Sequence, residues 1–212
     1  MQTLQLTDRD RELLQSLALK VRVFSQRQIA DDFWDGSLPN ARRRLKRLLD
    51  QELLLRVTVH ARSLPLLESP LASWRPGDPE PDFGKLAYQC QARWRQRPVR
   101  PCSAFIASSK AAQLFGAAHR GELSNPTQAT HDLGVAAVWL RLRQIAPEWS
   151  TAWQGEDLLA HTRVGEKLPD AFIVNSQAQV TCVIEFGGSY DTERVKAFHH
   201  DCLRRQLPYQ LW

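Results

Sequence analysis

The stretch LPNARRRLKRLLDQ, residues 38–51, decides how the first half of the chain is read. Set at about 100° per residue, it sorts into two faces. Ala41, Leu45, Leu48, Leu49 and Glu52 fall within about 60° of Leu45 and form the stripe expected to be buried. Asn40, Arg43 and Arg47 fall opposite, with Arg44 and Lys46 flanking. Only Asp50 and Glu52 lie near in sequence, so the block Arg42-Arg43-Arg44 is expected to stay largely unpaired.

Working outward toward the N-terminus, Thr7 and Asp10 have capping-box spacing, and Leu13, Leu14 and Leu17 continue a helix to about Leu19. Ser25 is placed to cap a second helix with Ile29, Phe33 and Trp34 on its apolar side. Asp35-Gly36-Ser37 reads as a turn. Three helices with a short turn before the third predict a helix-turn-helix, whose last helix enters the major groove. Arg pairs bidentately with guanine, Asn with adenine, and Lys with phosphate. On this reading Asn40, Arg42, Arg43, Arg44, Lys46 and Arg47 contact DNA. The alternative is a solvated helix surface.

Working outward the other way, Leu53 to Val59 reads as a strand, and the five prolines between residues 64 and 82 read as an irregular loop. Leu86 to Trp94 is expected to be the returning strand of a long β-wing. Arg93, Arg95 and Arg97 surround Trp94 and suit a phosphate backbone or a minor groove, or simply form a basic loop. Ala104 to Ile106 and a helix from Ser108 to about Phe115, closed by Gly116, complete the unit. The expected division is a winged-helix domain over 1–118, a polar linker over 119–129, and a second domain over 130–212.

In that second domain a helix is expected from His131 to Ile145, ended by Pro147. Trp149 to Trp153 reads as a short strand, and Pro169 opens another that runs to Val174. Asn175 to Gln179 reads as a turn, and Val180 to Phe186 as a buried β-branched strand broken by Gly187-Gly188. A helix from Asp191 to Arg205 and a strand from Pro208 to Trp212 follow. The expected fold class is α+β: a winged helix-turn-helix followed by a small αβββαβ mixed-sheet domain.

Pro169-Asp170, followed after fourteen intervening residues by Glu185 at the end of an apolar strand, resembles the PD-(D/E)xK nuclease-like fold. The chain as a whole resembles the replication-relaxation family of plasmid and mobile-element proteins. The resemblance rests on Leu6-Thr7-Asp8-Arg9-Asp10, FIASSKAAQLFG (105–116), His131-Asp132-Leu133, Pro169-Asp170, IEFGG (184–188) and Leu207-Pro208-Tyr209. It implies that Asp170 and Glu185 match the fold's two Mg²⁺-holding carboxylates, which serve catalysis and metal binding in active members. The position of the catalytic Lys is Gly187, which carries no side chain; Lys196, His199 and His200 are the basic residues nearby in sequence. Asp170 as a turn carboxylate and Glu185 as a strand-end residue are the structural alternatives.

Composition sets the frame for these readings. The chain has 212 residues, 28 Lys and Arg against 23 Asp and Glu, and a pI near 9.3. Residues 1–120 carry 20 Lys and Arg against 12 Asp and Glu, whereas residues 121–212 carry 8 against 11. A polyanion is the expected partner of the first half. The four cysteines, at 90, 102, 182 and 202, include no C-x-x-C pair, which argues against zinc and a disulfide framework. No phosphate loop, G-x-S-x-G or H-E-x-x-H occurs, so neither ATP use nor serine hydrolysis is expected. No apolar run approaches about 18 residues and the first residues carry no secretory pattern, so a cytoplasmic protein away from membranes is expected.

The expected function is double-stranded DNA binding in the regulation of transcription, replication or transfer on a mobile element, with an inactive nuclease-like second domain. DNA binding itself requires no cofactor. The rival is a Mg²⁺-dependent DNA endonuclease or nickase targeted by the winged helix. A homodimer is expected because one short helix reads few bases. A replication or transfer protein is a further expected partner.

Overall fold

A computed structural model of the chain describes residues 5–117, 128–156 and 168–212. Within them lie eight α-helices and two β-sheets, a mixed α+β architecture and not a barrel. The chain divides into two compact units that interleave in sequence: residues 1–61 with 99–136, and residues 62–98 with 137–212. The segment expected to form the outer wing therefore belongs to the second unit. The linker expected at 119–129 lies outside the described residues as far as 127, and helix α6 has already begun at Ala129.

In the first unit, α1 (Asp8–Leu19) is capped by Thr7, whose hydroxyl accepts from Asp10 N while the Asp10 carboxylate accepts from Thr7 N. Strand β1 (Phe24–Ser25) leads into α2 (Gln26–Phe33), which Ser25 and Gln28 cap in the same reciprocal way. The turn to α3 (Leu38–Asp50) places Asp35 at φ +49° and Gly36 at φ +78°, and Gly36 N closes it by donating to Ala30 O at 2.9 Å. Pro39 sits in the first turn of α3, where its missing N–H costs nothing. Ala41, Leu45 and Leu48 are buried and Leu49 is half-buried, as the apolar stripe requires. Glu52 departs from that stripe: the helix ends at Asp50, and Glu52 is exposed at φ +57° in the turn beyond it.

The turn delivers β2 (Leu54–Arg62), and β4 (Val99–Ala107) lies between β1 and β2 in a three-stranded sheet. Strand β1 pairs antiparallel with β4, Phe24 opposite Phe105. Helix α5 (Ser109–Leu114) follows, capped by Ser108 and ended by Gly116 at φ +69°. Leu13, Leu17, Phe24, Ile29, Leu45, Leu48 and Phe105 are all buried in this unit.

The second unit holds a five-stranded sheet in the order β3 (Ala72–Trp74), β8 (Tyr209–Leu211), β7 (Val180–Glu185), β6 (Ala171–Val174), β5 (Trp153–Gly155). Neighbours are antiparallel except β7 and β8, which run parallel with Glu185 opposite Leu211. Helix α6 (Ala129–Ile145), begun in the first unit, is followed by α7 (Pro147–Ala152), and α8 (Thr192–Arg204) is capped by Asp191. The expected order α-β-β-β-α-β is recovered, with α7 inserted and β3 added at one edge.

Two expectations fail here. Leu86 to Trp94 is not a strand: Phe83–Ala92 forms helix α4, and the strand beside β2 is β4. Asp82 caps α4 by accepting from Lys85 N at 2.9 Å, and Leu86, Ala87 and Cys90 face the core at helical spacing. Nor is Trp149–Trp153 a strand, since Pro147 opens α7 and only Trp153 enters the sheet. The irregular loop over 64–82 also contains β3.

Candidate nucleic-acid interface and carboxylate pair

The turn before α3 and its buried Ala41–Leu45–Leu48 stripe fix which side of the helix faces out. Asn40, Arg42, Arg43, Lys46 and Arg47 are exposed there. No hydrogen bond or ion pair engages the side chains of Arg42, Lys46 and Arg47 among the described residues. Arg43 donates to the Asn40 amide oxygen at 3.1 Å, which orients both side chains along the same face.

Arg44 departs from the expected unpaired block. Its Nε donates to Asp10 Oδ1 at 2.8 Å, and one terminal nitrogen donates to Asp10 Oδ2 at 2.5 Å and to Gln5 O at 2.9 Å. Asp10 is fully buried. Burial alone would raise its carboxyl, but the bonds from Arg44 and Thr7 outweigh that and hold it below its ordinary value. The same bond raises Arg44 above its ordinary value. Arg44 therefore ties α3 to α1, and its partner lies 34 residues away, where helix-surface spacing cannot show it.

A cleft of about 340 Å³ opens beside this pair, lined by Arg9, Trp34, Asn40, Arg43, Arg44 and Arg47. The Arg9 guanidinium lies 5.7 Å from the centroid of the Trp34 ring and 3.7 Å from the exposed Asp35 carboxylate. Sequence reasoning missed Arg9, because α1 brings it to α3 only through the tertiary packing.

Arg93, Arg95 and Arg97 belong to the second unit, and two of them are held by backbone carbonyls. Arg93 donates to Trp212 O at 2.9 Å, and its guanidinium lies 4.8 Å from the Phe186 ring centroid. Arg97 donates to Arg93 O at 3.0 Å and Leu64 O at 2.7 Å. These contacts tie Arg93 and Arg97 to the folded framework of the second unit, and both side chains are half-buried. Arg95 is exposed beside the Tyr88 ring, 5.1 Å from its centroid.

Asp170 and Glu185 do come together. Strand β6 begins just after Asp170 and pairs with β7, which ends at Glu185. Glu185 Oε2 accepts from Asp170 N at 3.2 Å, and Asp170 Oδ2 accepts from Phe186 N at 2.6 Å. The Tyr190 hydroxyl donates to Glu185 Oε1. Burial, and then the adjacent Glu185 and Asp170 charges, push the Tyr190 phenol well above its ordinary value, so it keeps the proton it donates. Both Glu185 oxygens and one Asp170 oxygen thus accept from protein donors.

As a Mg²⁺ site this supplies two carboxylates, but no third His, Cys, Asp or Glu completes a ligand group among the described residues. Gly187, where the expected nuclease pattern would have a Lys, donates its N–H to Trp212 O at 2.9 Å. A Cβ there would lie 2.8 Å from Cys90 Sγ and 3.1 Å from Leu211 Cδ1, so α4 and β8 occupy the space a side chain would need. Lys196 pairs with Glu193, His200 with Glu80, and the buried His199 meets the Tyr209 hydroxyl at 3.1 Å.

The four cysteines are free thiols, and no helix among the described residues is long and apolar enough to cross a membrane. Compared with known proteins, the chain matches no family model, no curated protein and no solved structure.

Proposed function

We propose that the protein binds double-stranded DNA through α3, as a regulator of transcription, replication or transfer on a mobile element. The observation that carries this reading is the exposed cationic face of Asn40, Arg42, Arg43, Lys46 and Arg47. It backs onto a buried stripe and follows a tight turn from α2. Exposed cations on a rigid helix that hold no ion pair among the described residues suit phosphates and base edges, because no ion pair has to break for them to bind. The order α1-β1-α2-α3-β2, with β4 beside β2, supports a winged helix-turn-helix. The resemblance to replication-relaxation proteins suggests the mobile-element setting, and Arg95 remains a candidate second contact. A homodimer would let two copies of α3 read paired half-sites.

In this reading the second unit is a PD-(D/E)xK-like scaffold without nuclease activity. The filled space at Gly187 and the protein donors on Glu185 and Asp170 support it. The rival, a Mg²⁺-dependent endonuclease or nickase, is favoured by the meeting of Asp170 and Glu185. One experiment separates the two readings: a gel shift on plasmid DNA beside a cleavage assay on the same supercoiled plasmid with Mg²⁺ or Mn²⁺. A shift without cutting, unchanged by Asp170→Ala and Glu185→Ala, is expected. Cutting that both substitutions abolish would make the protein a nuclease with a relocated catalytic base. No shift would remove the DNA reading.

A further inference from the structure

The cleft of about 340 Å³ beside α3 is lined by four arginines, Arg9, Arg43, Arg44 and Arg47. Like charges brought together destabilise a fold unless an anion offsets them. Asp10 is engaged by Arg44 and fully buried, so it offsets that one cation. Asp35, 94% exposed at its side chain and 3.7 Å from Arg9, is a weak solvent-screened partner. Arg47 has neither hydrogen bond nor ion pair among the described residues.

The geometry is also preorganised. Asp10 locks Arg44 in place, Asn40 orients Arg43, and the Trp34 ring lies beside Arg9. Trp34 is itself only 7% exposed, so the ring is a fixed wall. Guanidinium forks held in this way suit the tetrahedral oxygens of a phosphate.

We infer that this cleft is a phosphate-binding site in which Arg9 of α1 acts with Arg43 and Arg47 of α3 on one phosphate group of the DNA backbone. The inference rests on the DNA-binding reading and deepens it. It adds a contact from α1 that fixes how α3 is presented. Arg44 is a positioning residue here, holding α1 and α3 at the spacing the clamp requires. A free phosphate has the same chemistry, and the test distinguishes the two sources.

The experiment uses the full chain and the variants Arg9→Gln and Arg47→Gln. Circular dichroism first checks that each is folded, as expected for side chains at the surface. Binding to a mixed-sequence DNA duplex is followed by fluorescence anisotropy across a salt series. In parallel, inorganic phosphate is titrated while the melting temperature is read. The wild type is expected to show a steep dependence of log K on log salt, and each variant to lower that slope by about 1. Duplex binding with an unchanged slope in both variants would overturn the clamp and leave the DNA reading standing. No duplex binding, with phosphate stabilising the wild type but not Arg9→Gln, would overturn the DNA source and keep a free-phosphate site. Neither duplex binding nor phosphate stabilisation would overturn both.

Discussion

Asp10 does two jobs with one carboxylate. It completes the cap of α1 and receives the Arg44 guanidinium while fully buried. A buried pair is costly to break from one side, because the remaining charge is left in a medium that cannot solvate it. Arg44→Met is therefore expected to destabilise the fold by about 3 kcal/mol in urea denaturation. Adding Asp10→Asn should recover part of that loss, since the orphaned charge goes with it. If the single variant unfolds at the wild-type urea concentration, the pair carries no structural weight. The cap half of this arrangement is legible in sequence, since Thr7 and Asp10 stand at capping-box spacing. The ion pair half is not, since nothing at helical spacing links residues 10 and 44. Gly187 is a second residue whose surroundings decide its meaning. Gly187→Lys restores the side chain of the nuclease pattern, yet its Cβ meets Cys90 Sγ at 2.8 Å. We expect the variant to lose about 1–3 kcal/mol of stability by overpacking and to gain no cleavage. Plasmid nicking by a stably folded Gly187→Lys protein would count against the scaffold reading.

At the scale of elements, α3 and α4 make opposite cases. In α3 the stripe of Ala41, Leu45 and Leu48 repeats at helical spacing without interruption, so its buried and exposed faces follow from the sequence. Arg43→Ala and Arg47→Ala should each weaken duplex binding about equally across DNA sequences, as expected of side chains that hold a phosphate. Gel-shift titrations against several duplex sequences measure this, and a loss confined to one sequence would place these side chains on base edges instead. In α4, an apolar run beginning at Leu86 beside an aromatic and after a proline-rich loop suggests a strand. The signals that outweigh it are the cap at Asp82 and the helix-forming Ala87, Gln89, Gln91 and Ala92 of the run. The run Trp149–Trp153 errs the same way, because Pro147 in the first turn favours a helix and two tryptophans suggested a strand. The strand pair β6 and β7 was legible because a proline, a turn and a β-branched run mark its limits in order.

At the scale of the whole molecule, the charge contrast between the halves softens once the interleaved units are counted. The first unit carries 14 Lys and Arg against 10 Asp and Glu, and the second 14 against 13. Part of the basic excess of residues 1–120 lies in the segment 62–98, where Arg93 and Arg97 are held by carbonyls. The case for DNA therefore rests on the local field of α3 and its cleft, and not on net charge.

The protein's response to acid follows from groups in both units. Burial lowers His199 from its ordinary value of 6.5, and neighbouring His200 lowers it further against the opposing pull of Glu80. The folded state thus keeps His199 neutral while the unfolded chain takes up a proton, and stability falls as pH drops below about 6.5. Asp10, held below 3.8, acts in the same direction at lower pH: its contribution is present above 3.8 and is lost as pH falls through its folded value. Both groups therefore favour the neutral side. The melting temperature is expected to decline from pH 7 toward pH 5 and to fall again in strong acid. His199→Gln keeps a polar side chain near Tyr209 but cannot titrate, so it should flatten the first decline and leave the second. If the variant declines between pH 7 and pH 5 as steeply as the wild type, the buried imidazole is not the source of that step.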